Sequence, residues 1–167
     1  MRRTLIISVL TLAAVTASAQ SHSDRIGLGA GLLYEPAAQA FLFWEHETRY
    51  HNAWEVFATG YLKYDRNCDN LLDGYKTWGV GFAVKPCVYR ARNRYGCVRI
   101  GASAGSNTDK FVAGVHLGYE HNYALRHGWR VYWRAGVDVM LPRRDDLFRS
   151  GVSLGVKLPS SNHFKRQ

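Results

Sequence analysis

Seven histidines, three cysteines and a Glu45/Glu47 pair are the side chains of this chain best suited to chemistry. A hydrolase built on them needs a serine beside a histidine, and an acid to orient the imidazole. No serine stands close in sequence to His116 or His121. Partners of that kind can meet only across strands. His46 and His51 fall near one segment end and His127 in a turn, while His22 and His163 are terminal. They are expected as interfacial or interior polar residues, with no catalytic residue among them. Glu45 and Glu47 share a face and could form a carboxylate dyad, but pairing with arginines is the expected arrangement. Gly27-Leu28-Gly29-Ala30-Gly31 looks like a phosphate-binding fragment, yet no helix follows it and the spacing is wrong. Arg143-Arg144-Asp145-Asp146 reads as a solvated turn that could also contact a partner or lipopolysaccharide phosphates. No C-x-x-C or compact His/Cys spacing supports a metal site. Neither cofactor nor small-molecule substrate is expected.

The elements that must position these residues begin after a leader. Arg2 and Arg3 precede an apolar run from Leu5 to Val15, and Ala17-Ser18-Ala19 forms a cleavage site before Gln20. Residues 1–19 are therefore expected to be a signal peptide, leaving about 148 residues as one domain. No later run reaches ~18 consecutive apolar residues, so a helical span is excluded and only a closed barrel can enter a membrane. The formal net charge of +9 could indicate nucleic acid or anionic lipid. The basic residues are scattered singly along alternating segments, which fits a polar interior and charged rims, with no direct nucleic-acid contact.

Period two dominates, in segments of ten to twelve residues, the length of a tilted transmembrane strand. In Trp129–Leu141, Trp129, Val131, Trp133, Ala135, Val137 and Val139 point one way; Arg130, Tyr132, Arg134, Gly136 and Asp138 point the other. Seven further segments repeat the pattern: 25–34, 40–49, 53–64, 75–85, 95–105, 111–123 and 149–158. The expected fold is all-β, an eight-stranded antiparallel up-and-down transmembrane barrel over residues 20–158, with a disordered polar tail at 159–167. Short turns at His51-Asn52, Arg90–Arg94 and Ala124–Gly128 would lie at one end. Longer connections, the longest Asp65–Gly74, would lie at the other.

A soluble barrel buries its apolar face, whereas a small outer-membrane barrel shows lipid an apolar band with aromatics near its rims. Trp54, Tyr64, Tyr119, Tyr123 and Trp129 sit near segment ends on the apolar phase, as an aromatic belt requires. The polar phase mixes glycines with Glu45, Glu47, Glu55, Lys63, Lys85, Arg99, Glu120, Arg130, Arg134 and Asp138. An eight-stranded interior is just wide enough for side chains to fill, so these charges are expected to pair in an internal network that plugs the barrel. Cys87 and Cys97 flank a charged turn and share a face. They could close a disulfide in an oxidising compartment or remain free thiols, with Cys68 left over.

The last hairpin runs from Trp133-Arg134-Ala135-Gly136-Val137 through Arg144-Asp145-Asp146-Leu147-Phe148-Arg149 into Ser150-Gly151-Val152-Ser153-Leu154-Gly155-Val156-Lys157. It resembles the closing D-L-x-x-F-x-x-x-x-G-x-G-(L/V)-K pattern of the TraO family of Bacteroidetes conjugal transfer proteins, with a shorter Leu-to-Phe spacing and altered glycine spacing. Tyr61–Tyr64 and Gly79-Val80-Gly81 are compatible with the same family. The resemblance implies a small outer-membrane component of a conjugative, type IV-like DNA-transfer apparatus, with a structural role and partners in outer-membrane lipid and other transfer proteins. It carries no catalytic residues. The alternatives are a stand-alone envelope barrel for integrity or adhesion and, behind it, a lipid-modifying barrel enzyme.

Overall fold

The computed structural model describes residues 23–34, 37–63, 75–107, 110–141 and 148–160. The expected signal peptide, Tyr64, Cys68, the Asp65–Gly74 loop and residues 161–167 lie outside them. Nine strand segments follow one another: β1 (Ser23–Leu33), β2 (Ala37–Glu47), β3 (Ala53–Lys63), β4 (Lys76–Lys85), β5 (Cys87–Ala91), β6 (Arg94–Ser106), β7 (Phe111–Ala124), β8 (Arg130–Leu141) and β9 (Phe148–Pro159). Each is hydrogen-bonded antiparallel to its neighbours. β1 pairs with both β2 and β9, and β4 pairs with β6, so the sheet closes on itself. Closure satisfies every edge, which a chain surrounded by lipid requires.

β4 and β5 are two halves of one stave, so the barrel has eight. They are split at Pro86, which has no N–H to give to the ladder. Its carbonyl still accepts from Val98 N at 3.0 Å, and a bulge between Cys87 and Tyr89 absorbs the irregularity. The turns differ in extent from the expected ones. β5 and β6 extend to Ala91 and Arg94, leaving only Arg92 and Asn93 between them. β2 stops at Glu47, so Arg49 lies exposed in the Thr48–Asn52 turn rather than on the inner face. Thr48 N donates to Asn52 O at 2.8 Å across that turn, and His51 takes a positive φ of 62°. A short 3₁₀ turn, Arg126–Gly128, joins β7 to β8. The tail begins later than expected: Pro159 closes β9, and Ser160 N donates to Asp24 O at 2.9 Å.

Alternation decides which residues face in. Glu45 is 0% exposed and Phe43 2%, while Leu42 between β2's inward residues is 57% exposed. The outward set is apolar around the ring: Ile26, Leu28, Val56, Val80, Ile100, Leu117, Val137 and Leu154 are all exposed. Phe43, Phe57, Ala83 and Tyr132 form the apolar part of the interior. Their bulk is accommodated by glycine on β1 and β9. A Cβ at Gly27 would lie 2.1 Å from the Phe43 ring, and one at Gly29 would lie 2.2 Å from Tyr132 Oη. The Gly-x-Gly run of β1 thus answers to packing.

Candidate functional site in the barrel lumen

The inward charges meet because neighbouring strands place them at one level. Register sets Glu45 opposite Glu55, and Glu120 opposite both Cys97 and Arg134. Two like charges side by side are unfavourable unless cations fill the space between them. Here Lys157 Nζ lies 2.7 Å from both Glu45 carboxylate oxygens and 2.6 Å from Glu120 Oε1. Lys85 Nζ donates to Glu45 at 2.5 Å and to Glu120 Oε2 at 3.0 Å, and also pairs with Glu55. Arg99 Nε donates to Glu55 at 2.6 Å; Arg134 Nη2 donates to Glu120 at 2.6 Å and to Glu55 at 3.3 Å. Asn122 Nδ2 adds a bond to Glu120 at 3.1 Å. Arg134 also lies over the Phe43 ring, its Cζ 5.5 Å from the centroid. The cluster fills the middle of the barrel, with Glu45, Glu55, Glu120, Lys85 and Lys157 at 0–1% exposure.

One carboxylate oxygen from each of Glu45, Glu55 and Glu120 lies within 4.8 Å of the other two, a spacing a metal ion could bridge. Two ammonium groups already meet that demand, so the donor set is saturated without a metal.

Toward the short turns lies a second group. Glu47 accepts from Arg25 Nε at 3.2 Å and also pairs with Arg130 and His51. His51 stacks on the Tyr95 ring at 4.3 Å, and Arg130 donates to the Tyr95 hydroxyl. Arg25 Nη1 reaches the Gly128 carbonyl at 2.6 Å, tying the β7–β8 turn to β1.

A third group lies toward the long connections and involves different chemistry. His116 Nδ1 lies 2.7 Å from Asp138 Oδ1, and His116 Nε2 lies 2.7 Å from Ser103 Oγ. Register makes His116 and Asp138 direct cross-strand partners, and Ser103, opposite Gly114, is the diagonal neighbour of His116. The Phe57 ring meets the imidazole edge-to-face at 5.3 Å. Arg149, directly opposite Asp138 in register, sends Nη1 to Thr77 Oγ1 at 3.1 Å and stacks on Tyr61 at 3.7 Å. Its Nε and Nη2 are buried without a hydrogen-bond partner.

Of the ten expected lumen charges, Glu45, Glu47, Glu55, Lys85, Arg99, Glu120, Arg130 and Arg134 join the first two groups. Asp138 does not: its carboxylate bonds His116 instead. Lys63 lies eight residues along β3 from Glu55, half-buried beside the long connections and away from the cluster. The reading by alternation left out Lys157 and Arg25, although both stand on inward phases and phase alone would have found them. His51 gave no signal, because a turn residue has no phase.

On the outer face, Trp54 packs edge-to-face on Trp44 at 4.9 Å and lies 5.4 Å from His46. Tyr119 and Tyr123 both lie against His121, which stacks on Trp133 at 5.9 Å, and Trp129 is exposed where β8 begins. Four of the five residues expected in the belt thus stand on the outer face, with Trp44, Trp133 and His121 beside them; Tyr64 lies outside the described residues. At the other end Trp78, Phe111 and Phe148 are exposed. The ten residue steps from Phe111 to His121 rise about 26 Å along the barrel axis, given ~3.4 Å per residue and a tilt near 40°. That matches the ~25 Å apolar band of a bilayer-spanning barrel. Cys87 and Cys97 are register partners as expected, but they stand as free thiols. Beside the bulge, Cys87 Sγ turns to Tyr89 O at 3.3 Å and Cys97 Sγ to His51 O at 3.5 Å.

No family model and no curated protein matches the chain. Among solved structures, a chain described under "De novo design of transmembrane beta-barrels" superposes with a TM-score of 0.52 at 9% identity, covering 83% of this chain and 95% of that one. At that identity the likeness concerns the fold: a transmembrane β-barrel of eight antiparallel strands.

Proposed function

We propose that the protein is a non-conducting scaffold of a bacterial outer membrane, serving a conjugative DNA-transfer apparatus through its rims. The observation that carries the scaffold reading is the ion cluster at mid-barrel. Five of its charged side chains are essentially inaccessible and mutually bonded, so the cross-section at that level holds protein rather than water. A barrel closed in this way transports nothing, and its contribution lies in what it holds at either mouth. The conjugative assignment rests on the resemblance of the β8–β9 hairpin to the TraO pattern.

Two experiments test the two parts. In planar bilayers the refolded barrel is expected to give no stable single-channel steps; a defined conductance would overturn the scaffold reading. In mating assays, donors lacking the gene are expected to lose transfer and regain it on complementation. Unchanged transfer would remove the conjugative role and leave a stand-alone envelope barrel.

A further inference from the structure

We infer that Ser103, His116 and Asp138 form a nucleophilic triad at the loop-side mouth of the lumen, with Arg149 as the anchor for an anionic group on its substrate. The substrate class is a carboxylic ester that carries a phosphate. This goes beyond the scaffold reading and does not depend on it, because the triad lies on the loop side of the plug.

Three observations converge on one small cavity of about 10 Å³, lined by Ser103, His116, Asp138, Arg149, Tyr61 and Thr77. The first is the relay geometry. Both imidazole nitrogens are engaged at 2.7 Å, one by a carboxylate and one by a hydroxyl. An ionised carboxylate only accepts, so it selects the tautomer with hydrogen on Nδ1 and leaves Nε2 to accept the Ser103 proton. The second is close packing beside the nucleophile. Gly114 stands opposite Ser103, and a Cβ there would come 2.7 Å from Met140 Sδ and 3.2 Å from Ser103 Oγ, so only glycine leaves the serine uncrowded. The third is charge. Arg149 is 6% exposed, has no ion-pair partner among the described residues, and leaves Nε and Nη2 unpartnered. Its cross-strand neighbour Asp138 bonds His116 rather than Arg149. A buried guanidinium without an anion is costly, and a phosphate offers the matching bidentate acceptor.

The chemistry balances without a co-reactant other than water. Ser103 Oγ adds to the ester carbonyl carbon as His116 Nε2 takes the hydroxyl proton. The tetrahedral adduct collapses, the bond to the alcohol oxygen breaks, and His116 returns the proton to that oxygen. Water, deprotonated by His116, then releases the acid from acyl-Ser103. Ser103 lies three residues inside the end of β6 and Asp138 three inside the end of β8, near the level of the exposed Trp78, Phe111 and Phe148. Aromatic girdles sit at the headgroup level, where bilayer esters and phosphates lie together. Both phospholipids and lipopolysaccharide present that chemistry.

The test uses the full mature barrel, refolded in detergent and verified by its gel shift on boiling. A fluorophosphonate probe is expected to modify Ser103, located by mass spectrometry, with no labelling of Ser103→Ala. Fatty-acid release is measured from phosphatidylglycerol and from lipopolysaccharide, with a neutral p-nitrophenyl ester alongside. Release from one lipid and not the other identifies the source. His116→Gln is expected to lower release by at least ~100-fold. Arg149→Gln is expected to raise KM for the phosphate-bearing lipid about 10-fold while leaving the neutral ester within about 3-fold. A folded wild-type barrel that neither takes the probe at Ser103 nor releases acid overturns the triad, as does release that survives Ser103→Ala. Labelling without release from either lipid overturns the substrate assignment.

Discussion

The two halves of the lumen treat charge in opposite ways. From mid-barrel to the short turns, each of the buried carboxylates Glu45, Glu47, Glu55 and Glu120 touches cations, and Arg25, Lys85, Arg99, Arg130, Arg134 and Lys157 each touch a carboxylate. On the loop side, Asp138 serves a histidine and Arg149 touches no carboxylate among the described residues. Both halves are built on the same staves with the same alternation, so architecture alone does not produce the difference. Mutual compensation fits a plug, whose task is to stay shut. A hydroxyl, an imidazole and an unmatched guanidinium converging on a cavity fit a place where something binds.

The comparison breaks most visibly at Glu120. Glu120→Ala leaves Lys85, Lys157 and Arg134 short of a carboxylate in a fully buried setting, and is expected to cost about 3–5 kcal/mol. The measurement is the urea midpoint of the heat-modifiable band in micelles. Removing a matched pair tests the cause: Glu120→Leu with Lys157→Leu is expected to recover most of the loss, because apolar replacements of a buried pair are near neutral. A double variant as unstable as the single one would mean that packing around Glu120, not charge, sets the loss.

Applying one substitution at both mouths sharpens the contrast. Arg25→Met removes a partner of Glu47 and the bond to Gly128 O, and is expected to destabilise by about 1–3 kcal/mol. Arg149→Met removes a buried charge that has no anion, and is expected to leave stability unchanged or raise it by about 1 kcal/mol. If both arginines cost the same, Arg149 is a structural residue and the distinction between the halves fails.

Much of this was legible in the sequence because a strand's period is two. Once Trp129–Leu141 was phased, Arg130, Arg134 and Asp138 had to share the inner face, and the glycines of β1 had to face the same way. Phase gives a side and not a partner. Which charges meet depends on the stagger between strands, which the alternation of a single strand does not encode. Alternation therefore groups Asp138 with charges it does not touch, and places Lys63 with a cluster eight residues away along β3. The same gap hid Ser103: it lies 13 residues from His116 in the chain, yet the β6–β7 register sets it diagonally across. Alternation likewise gives no sign of the bulge after Pro86, which leaves the Cys87 and Cys97 thiols turned to different carbonyls.

The smallest expected effect is the most discriminating. Ser103→Ala removes one hydroxyl that bonds His116 at 2.7 Å at the side of a cavity, and it adds no atom that could clash. A single such hydrogen bond contributes about 0.5–1.5 kcal/mol, and the freed His116 Nε2 faces a space into which water can enter. The urea midpoint is therefore expected to shift by no more than about 1 kcal/mol, far less than for Glu120→Ala. A shift of several kcal/mol would show that Ser103, His116 and Asp138 hold the barrel together as the mid-barrel cluster does. A small shift leaves the serine without a structural reason to sit against a histidine that a carboxylate orients, and chemistry at the loop-side mouth then accounts for the arrangement.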